Sequence, residues 1–361
     1  MTLRLVPPDE ALLGRSAPFS RLLAEAAPPL GLRFEMDGDY GFIARLTGAD
    51  GESTPVFGKS LGLNPDAAAH LAADKDYTAR WLAAAGFPTP PGQLIFGPAY
   101  RDAMALKNAG VASRLPGPEA AAPAAARFGY PVILKPNSGS EGRGIRLVSN
   151  PAQLAQDLPA ALADDDILRL EPQLAGRDHR VLVLGGRVVL AYERRPLSVR
   201  GDGETPLRLL IDRALSRLAA EHRGAKILPD DPRLIRCLDA SGLTPDSILP
   251  AGRSQPLLDN ANLSTGGVLR DLTGRLSAPA EALAIRVAAS LGLAVAGIDI
   301  LAPDLRRGIV GATVLEVNSS PGLDYFATAA PGNWSRARAI VTDMLRLRFR
   351  QRESGAWSRP G

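Results

Sequence analysis

Two kinds of hydrophobic pattern alternate along most of this chain. Apolar runs of four or five residues closed by glycine, proline or polar clusters predict buried strands, and apolar residues recurring at three- and four-residue spacing predict helices. Residues 1 to about 74 are the least readable. From Asp74 a helix carrying Lys75, Trp81 and Leu82 is expected to stop at Gly86, because Pro88 and Pro90 forbid its continuation; a strand over Gln93–Phe96 follows. An alanine-rich stretch, residues 119–127, reads as a helix or a loop-to-helix segment.

Residues 131–135 (PVILK) predict a short buried strand, residues 137–144 a polar glycine-rich loop, and residues 145–148 a second strand, which together make a hairpin with an oversized tip. Asn150 before Pro151 suits the cap and first position of a helix running to Leu162, with a strand over residues 167–170 beyond it. Residues 180–184 and 187–192 flank Gly185-Gly186 as an antiparallel pair. A helix after Pro279, stopped by Gly292, leads to strands over residues 293–301 and 314–317. Arginines beside Ile340, Met344, Leu345 and Phe349 predict a terminal helix with one packed and one solvated face. The fold class expected is α+β.

Composition narrows the function. A chain of 361 residues with 45% hydrophobic and 22% charged residues is a folded globular protein, neither a disordered polyelectrolyte nor a fibrous repeat. The single cysteine, Cys237, forms no internal disulfide, and His70, His179 and His222 are too scattered for a zinc cluster. Pro7, Pro8, Asp9 and Glu10 interrupt the N-terminus and no apolar run reaches 18 residues, so a cytoplasmic protein with no membrane partner is expected. The pI is near 9.4, but a net charge of +4 with dispersed arginines does not indicate a nucleic-acid partner. Of 42 basic residues only Lys59, Lys75, Lys107, Lys135 and Lys226 are lysine, leaving 37 arginines. In such a chain each lysine is a candidate compact charge for phosphate.

The loop Asn137-Ser-Gly-Ser-Glu-Gly-Arg-Gly144 can turn backbone N–H groups toward an anion such as polyphosphate, with Lys135 entering from the strand. A buried ammonium needs a carboxylate partner or a bound anion, and phosphate is the expected one. Gly58-Lys59-Ser60 resembles the end of a P-loop, but position 53 is Ser where that motif needs glycine, so replacing Lys59 is expected to do little. Glu316 and Asn318, two apart in a strand, face one way while Val317 faces the core, and Asp299 lies in the preceding strand. Two carboxylates and an amide oxygen from paired strands suit Mg²⁺, with phosphate oxygens and waters completing the octahedron.

PVILKPNSGSEGRGI, LEPQLAGRDHRVLVL, SVRGDGETPLRLLI, NANLSTGG, AGIDI and LEVNSSPGL together resemble the ATP-grasp ligases, above all the ATP-grasp module of cyanophycin synthetases, in order from about Asp74 to Tyr325. The resemblance implies an ATP-grasp fold in which two α+β subdomains clamp ATP. It implies a short N-terminal domain over residues 1–73, a first subdomain over 74–172 with the phosphate loop, a second over 173–345 with the metal site, and a basic tail over 346–361.

For the nucleotide it implies Lys75 and Lys135, the loop residues Ser138, Gly139, Ser140, Gly142 and Gly144, Glu171 on the adenine amine, Leu174 by its backbone and Asp178 on the ribose. Asp299, Glu316 and Asn318 would hold Mg²⁺ or Mn²⁺; Arg180 and Arg194 would face the phosphates and an acyl-phosphate, with Lys226 and Asn262 at less well understood positions. His179 is expected at a surface or hinge, without a catalytic task. The implied activity is ATP-dependent joining of a carboxylate to an amine through an acyl-phosphate, the partners being small amino acids or peptides, with a homo-oligomer open. Residues 137–144 and 262–267 are expected to order on nucleotide binding. Because nothing follows Gly361, the second ligase domain of cyanophycin synthetases, and with it cyanophycin synthesis as a whole, is not expected. A ligase like D-alanine or glutathione synthetases and a non-catalytic nucleotide-binding protein are the alternatives.

Overall fold

Three antiparallel sheets and a two-stranded ribbon organise the computed structural model, which describes residues 3–139, 142–220, 227–258 and 261–353. The N-terminal sheet is a meander of Leu5–Val6, Arg33–Asp37, Ile43–Thr47 and Ser53–Phe57. One face packs on the helix Pro18–Ala26 and on the long helix Asn333–Glu353, so Phe19, Leu22, Met36 and Leu46 share a core with Val341 and Leu345. The apolar stripe read in the terminal helix is thus its packed face: Ile340, Met344 and Leu345 are buried.

The second sheet has the order Gln93–Phe96, Ile167–Pro172, Val132–Pro136, Arg146–Val148. The hairpin with the large tip is there, with Val132 opposite Val148. The helix Pro151–Asp164 starts on Asn150, whose side chain accepts from the Gln153 N–H, and Pro151 takes the first turn, where a missing N–H costs nothing.

The third sheet runs Val268–Asp271, Arg187–Arg195, Arg177–Leu184, Val295–Ala302, Thr313–Asn318. The glycine pair turns between its second and third strands, and the helix Ala278–Ser290 covers the face bearing Val181, Ile298, Ile300 and Val317. Between the strands Arg187–Arg195 and Val268–Asp271 the chain makes an excursion with its own apolar core. Leu197, Leu207, Leu234, Leu249 and Leu257 fill that core beneath the helices Leu207–Ala220 and Pro232–Ala240. Cys237 is buried there, its thiol donating to the Pro256 carbonyl at 3.4 Å.

Asn64 ties the N-terminal region to the third sheet. Its amide donates to the carbonyls of Val295 and Ser319 at 2.8 and 2.7 Å, and its oxygen accepts from the N–H groups of Ala294 and Val295. No helix among the described residues is long and apolar enough to cross a membrane.

Candidate active site

A cavity of about 1030 Å³ lies between the second and third sheets. From the second sheet and the segment after it, Lys135, Gly142, Glu171 and Leu174 line it. From the third come Asp178, Arg180, Arg194, Asp299, Glu316 and Asn318. Residues dispersed over some 180 positions of sequence are therefore brought to one space.

On the second-sheet side, the helix Lys75–Ala84 begins against the glycine loop. Asp74 caps it by accepting from the Tyr77 N–H at 2.8 Å, and Asn137, itself buried, latches it twice: its carbonyl accepts from the Lys75 N–H and its side-chain oxygen from the Asp76 N–H, both at 3.0 Å. The Lys75 Nζ then donates to the carbonyl of Gly139 at 2.9 Å. Gly139, Gly142 and Gly144 all have positive φ, which lets this short loop fold back over its strand. Burial pulls the Lys75 ammonium below its ordinary pKa, against the opposing attraction of Glu316.

Lys135 is buried, and the partner it has here is a carboxylate: its Nζ pairs with Glu171 Oε1. The sequence left a carboxylate or a bound anion as the partner, with phosphate the expected one; the strand pairing that sets Lys135 opposite Arg169, two residues before Glu171, brings the carboxylate within reach. The other Glu171 oxygen accepts from Arg169 Nε at 3.1 Å, so both oxygens assigned to the adenine amine are engaged by cations. Arg169 also pairs with Asp76 and donates to the Pro90 carbonyl at 2.9 Å. Asp76, paired in addition with Arg80 at 2.6 Å, is pushed up by burial and held back by those arginines. Lys135, Glu171, Arg169 and Asp76 form a dry charged chain.

On the third-sheet side, Asp299 stands opposite Glu316 on one neighbour and Arg180 on the other. Arg180 binds it through both Nε and Nη2, the latter at 2.9 Å, and Arg194 Nη2 bridges Asp299 at 3.1 Å and Asp178 at 2.7 Å. Burial raises the Asp299 carboxyl, but the two guanidiniums outweigh it and hold the group below its usual range. Glu316, with no guanidinium on it, is pushed up by burial and then by Asp299. Gly297 opens the way for Arg180: a Cβ there would lie 3.0 Å from Arg180 Nη1 and 2.8 Å from Pro321 Cβ.

Ser138 and Gly139 are exposed in the loop, Gly144 packs beside Pro136, and none of the three lines the cavity. Ser140 and Lys226 lie outside the described residues. Asn262 lines the cavity. His179 is neither at a surface nor at a hinge: it is almost fully buried, with Nδ1 at 3.3 Å from the Ile300 carbonyl, because alternate residues of its strand turn it away from Arg180. Burial lowers its pKa, which keeps the ring neutral. Arg169, Asp76 and Lys59 were missed. An arginine inside ILRLE carries the same signal as a lysine inside PVILK, whereas nothing local marked Asp76, and Lys59 was weighed only as part of a P-loop, yet it too lines the cavity.

The donors for a divalent cation are hard oxygens. Among the described residues no group of three histidine, cysteine or carboxylate side chains is arranged to hold a metal ion, and the candidate set is the two carboxylates with the Asn318 amide, a number of donors that Mg²⁺ ordinarily completes with water and phosphate oxygens. The donor type fits, and of the two carboxylates Asp299 has both oxygens engaged by Arg180 and Arg194.

Comparison with known proteins finds ATP-grasp and ATP-binding domains. Residues 259–334 match the RimK-like ATP-grasp domain model, and residues 101–167 the ATP-binding domain model of the carbamoyl-phosphate synthase L chain. The cyanophycin synthetase of Geminocystis herdmanii is 32% identical over 293 residues, 76% of this chain and 30% of that protein. The glutathione biosynthesis bifunctional protein GshAB of Streptococcus thermophilus is 29% identical over 289 residues, 76% of this chain and 35% of that protein. The chain thus spans about a third of the length of these curated relatives. A crystal structure of a bifunctional glutathione synthetase from Pasteurella multocida superposes with a TM-score of 0.57 at 24% identity, covering 91% of this chain and 43% of the other, which shows the shared fold.

Proposed function

We propose, on the premise that this chain is an ATP-grasp protein, that it is an ATP-dependent carboxylate–amine ligase forming an amide through an acyl-phosphate, with ADP and phosphate released. One observation carries the reading. A single cavity holds, on one wall, a lysine on the strand that enters a glycine-rich loop and, on the facing wall, two carboxylates and an amide from paired strands.

Phosphoryl transfer needs in-line positioning and neutralised charge more than a covalent nucleophile. The residues present have that character. Lys75 and Lys135 hold the polyphosphate with the loop N–H groups, Leu174 and Asp178 take the nucleoside, and Arg180 and Arg194 face the transferred group. Asp299, Glu316 and Asn318 would hold Mg²⁺, which when bound neutralises the phosphate oxygens. Glu171 positions Lys135 rather than reading the base. The carboxylate attacks the γ-phosphorus, ADP leaves, and the amine displaces phosphate from the acyl carbon. Amino acids or short peptides are the substrate class, and a cytoplasmic site of action follows from the need for ATP.

ADP release is the test, measured with Mg²⁺ and pooled amino acids and dipeptides in the presence of hydroxylamine, which traps an acyl-phosphate as a hydroxamate. Hydroxamate formed together with ADP is expected. ADP without hydroxamate would assign the phosphoryl group to another acceptor, and nucleotide binding without either product would make the chain a non-catalytic nucleotide-binding protein.

A further inference from the structure

Lys59 is the cavity's one lysine from the N-terminal sheet, and its placement is built. Phe57 and Ser60 exchange backbone hydrogen bonds at 3.2 and 3.0 Å, leaving Gly58 and Lys59 as the two central residues of a tight turn; Gly58 has φ +56°. The side chain extends across Gly322, where an added Cβ would meet Lys59 Nζ at 2.7 Å, and ends on Asp324 Oδ2 at 2.5 Å. Asp324 is buried and its other oxygen has no hydrogen-bond partner, so its charge is answered by Lys59. An ammonium has three N–H donors, and Asp324 takes one. The remaining donors belong to a side chain 35% exposed that lines the same cavity as Glu316 and Asn318, against the loop that begins directly after Asn318.

We infer that Lys59 is a specificity-determining residue that anchors a non-reacting carboxylate of a substrate, with Asp324 holding the ammonium in place. The inference rests on the ligase reading and adds a subsite to it. Two sources carry that group: a second carboxylate on the acid substrate, or the α-carboxylate of an amino-acid amine. A compact ammonium with two free donors matches either.

The test compares wild type with Lys59→Met and Lys59→Arg, using whichever amino acids or dipeptides from the pool support turnover. With the identified acid supplied alone and hydroxylamine in excess as the nucleophile, a raised KM for the acid assigns the subsite to the acid; an effect appearing only when hydroxylamine is replaced by the amine substrate assigns it to the amine. For Lys59→Met a rise of roughly 10- to 100-fold in that KM is expected, the range of a lost charge-assisted hydrogen bond, with KM for ATP unchanged and partial recovery in Lys59→Arg. Unchanged KM for both substrates, or an equal rise in KM for ATP, overturns the inference. Far-ultraviolet circular dichroism checks folding; should Lys59→Met not fold, Asp324→Asn, which frees the ammonium, is expected to raise the same KM by a smaller factor, and no rise overturns the inference. If wild type forms neither ADP nor hydroxamate, the ligase reading itself has failed. Binding of the same pool by saturation-transfer NMR then decides the subsite: signals lost in Lys59→Met support it, and equal signals or none in wild type overturn it.

Discussion

The two walls of the cavity solve the same electrostatic problem in opposite ways. On the second sheet the charges alternate through a dry interior, and Arg169, with a side chain 2% exposed, binds Asp76 and Glu171 while Glu171 binds Lys135. On the third sheet two arginines converge on Asp299 at the cavity surface, and Glu316 beside it has none. The first arrangement fixes a cation where the proposed function puts the polyphosphate. The second keeps one carboxylate ionised and leaves its neighbour in want of a cation, which is the environment a divalent metal relieves.

Removing the cation itself is the strongest way to break this contrast. Lys135→Ala is expected to lower kcat by on the order of 10²–10³-fold, as for other groups that face developing charge. The chain should still fold, because Arg169 continues to neutralise Glu171. Steady-state ADP release and circular dichroism together check both halves, and near-normal turnover would remove Lys135 from the site.

Arg169→Met attacks the same wall through stability. Deleting one member of a buried charged chain leaves Asp76 and Glu171 each short of a partner, at a cost of about 3–5 kcal/mol in urea unfolding. Asp76 keeps Arg80 and Glu171 keeps Lys135, so the lower end of that range is expected. A loss below about 1 kcal/mol would mean that the network does not hold this wall together.

On the metal side the expected effect lies in ion dependence. Glu316→Gln preserves shape and removes a charge that lies beside Asp299 and is felt by Lys75, Arg180 and Lys135. The Mg²⁺ concentration for half-maximal turnover should rise at least tenfold, since even residues that merely orient metal ligands cost roughly 10- to 100-fold when lost. An unshifted Mg²⁺ titration would displace Glu316 from the ligand set.

The contrast also explains what could be read in advance. Strands, hairpins and capped helices were legible because each is signalled locally: Asn150-Pro151 opens a helix, Gly185-Gly186 turns a hairpin, and PVILK is too apolar to be exposed. The convergence of Asp299 with Glu316 followed from strand period alone and appears as a direct register pair. The partner of Lys135 was not legible, because Glu171 reaches it through strand pairing 36 residues away, and Asp76 joins through Arg169 over 93. Lys59 was hidden for the same reason: its significance depends on Gly322 and Asp324, which lie far off in sequence.

The smallest perturbation addresses how the metal side sets its geometry. Gly297 pairs with Asn318 on one neighbouring strand and Leu182 on the other, and its missing side chain leaves the space in which Arg180 reaches Asp299. In Gly297→Ala the new methyl would sit 2.8 Å from Pro321 Cβ and 3.0 Å from Arg180 Nη1, closer than carbon contacts allow. Arg180 is the flexible member and should move first, weakening one of the two guanidinium pairs on Asp299 while Arg194 retains the other. The expected result is a stability loss of about 1–3 kcal/mol, the range for overpacking, because the closer contact is with the Pro321 ring, which a change of Arg180 rotamer does not relieve. Turnover should fall by about tenfold through the displaced arginine, a loss of roughly 1.4 kcal/mol in transition-state stabilisation. Unfolding and kinetics measured on the one variant separate the outcomes: a large stability loss with unchanged kcat per folded molecule would show that Gly297 serves packing against Pro321, and that Arg180 needs no such clearance to act.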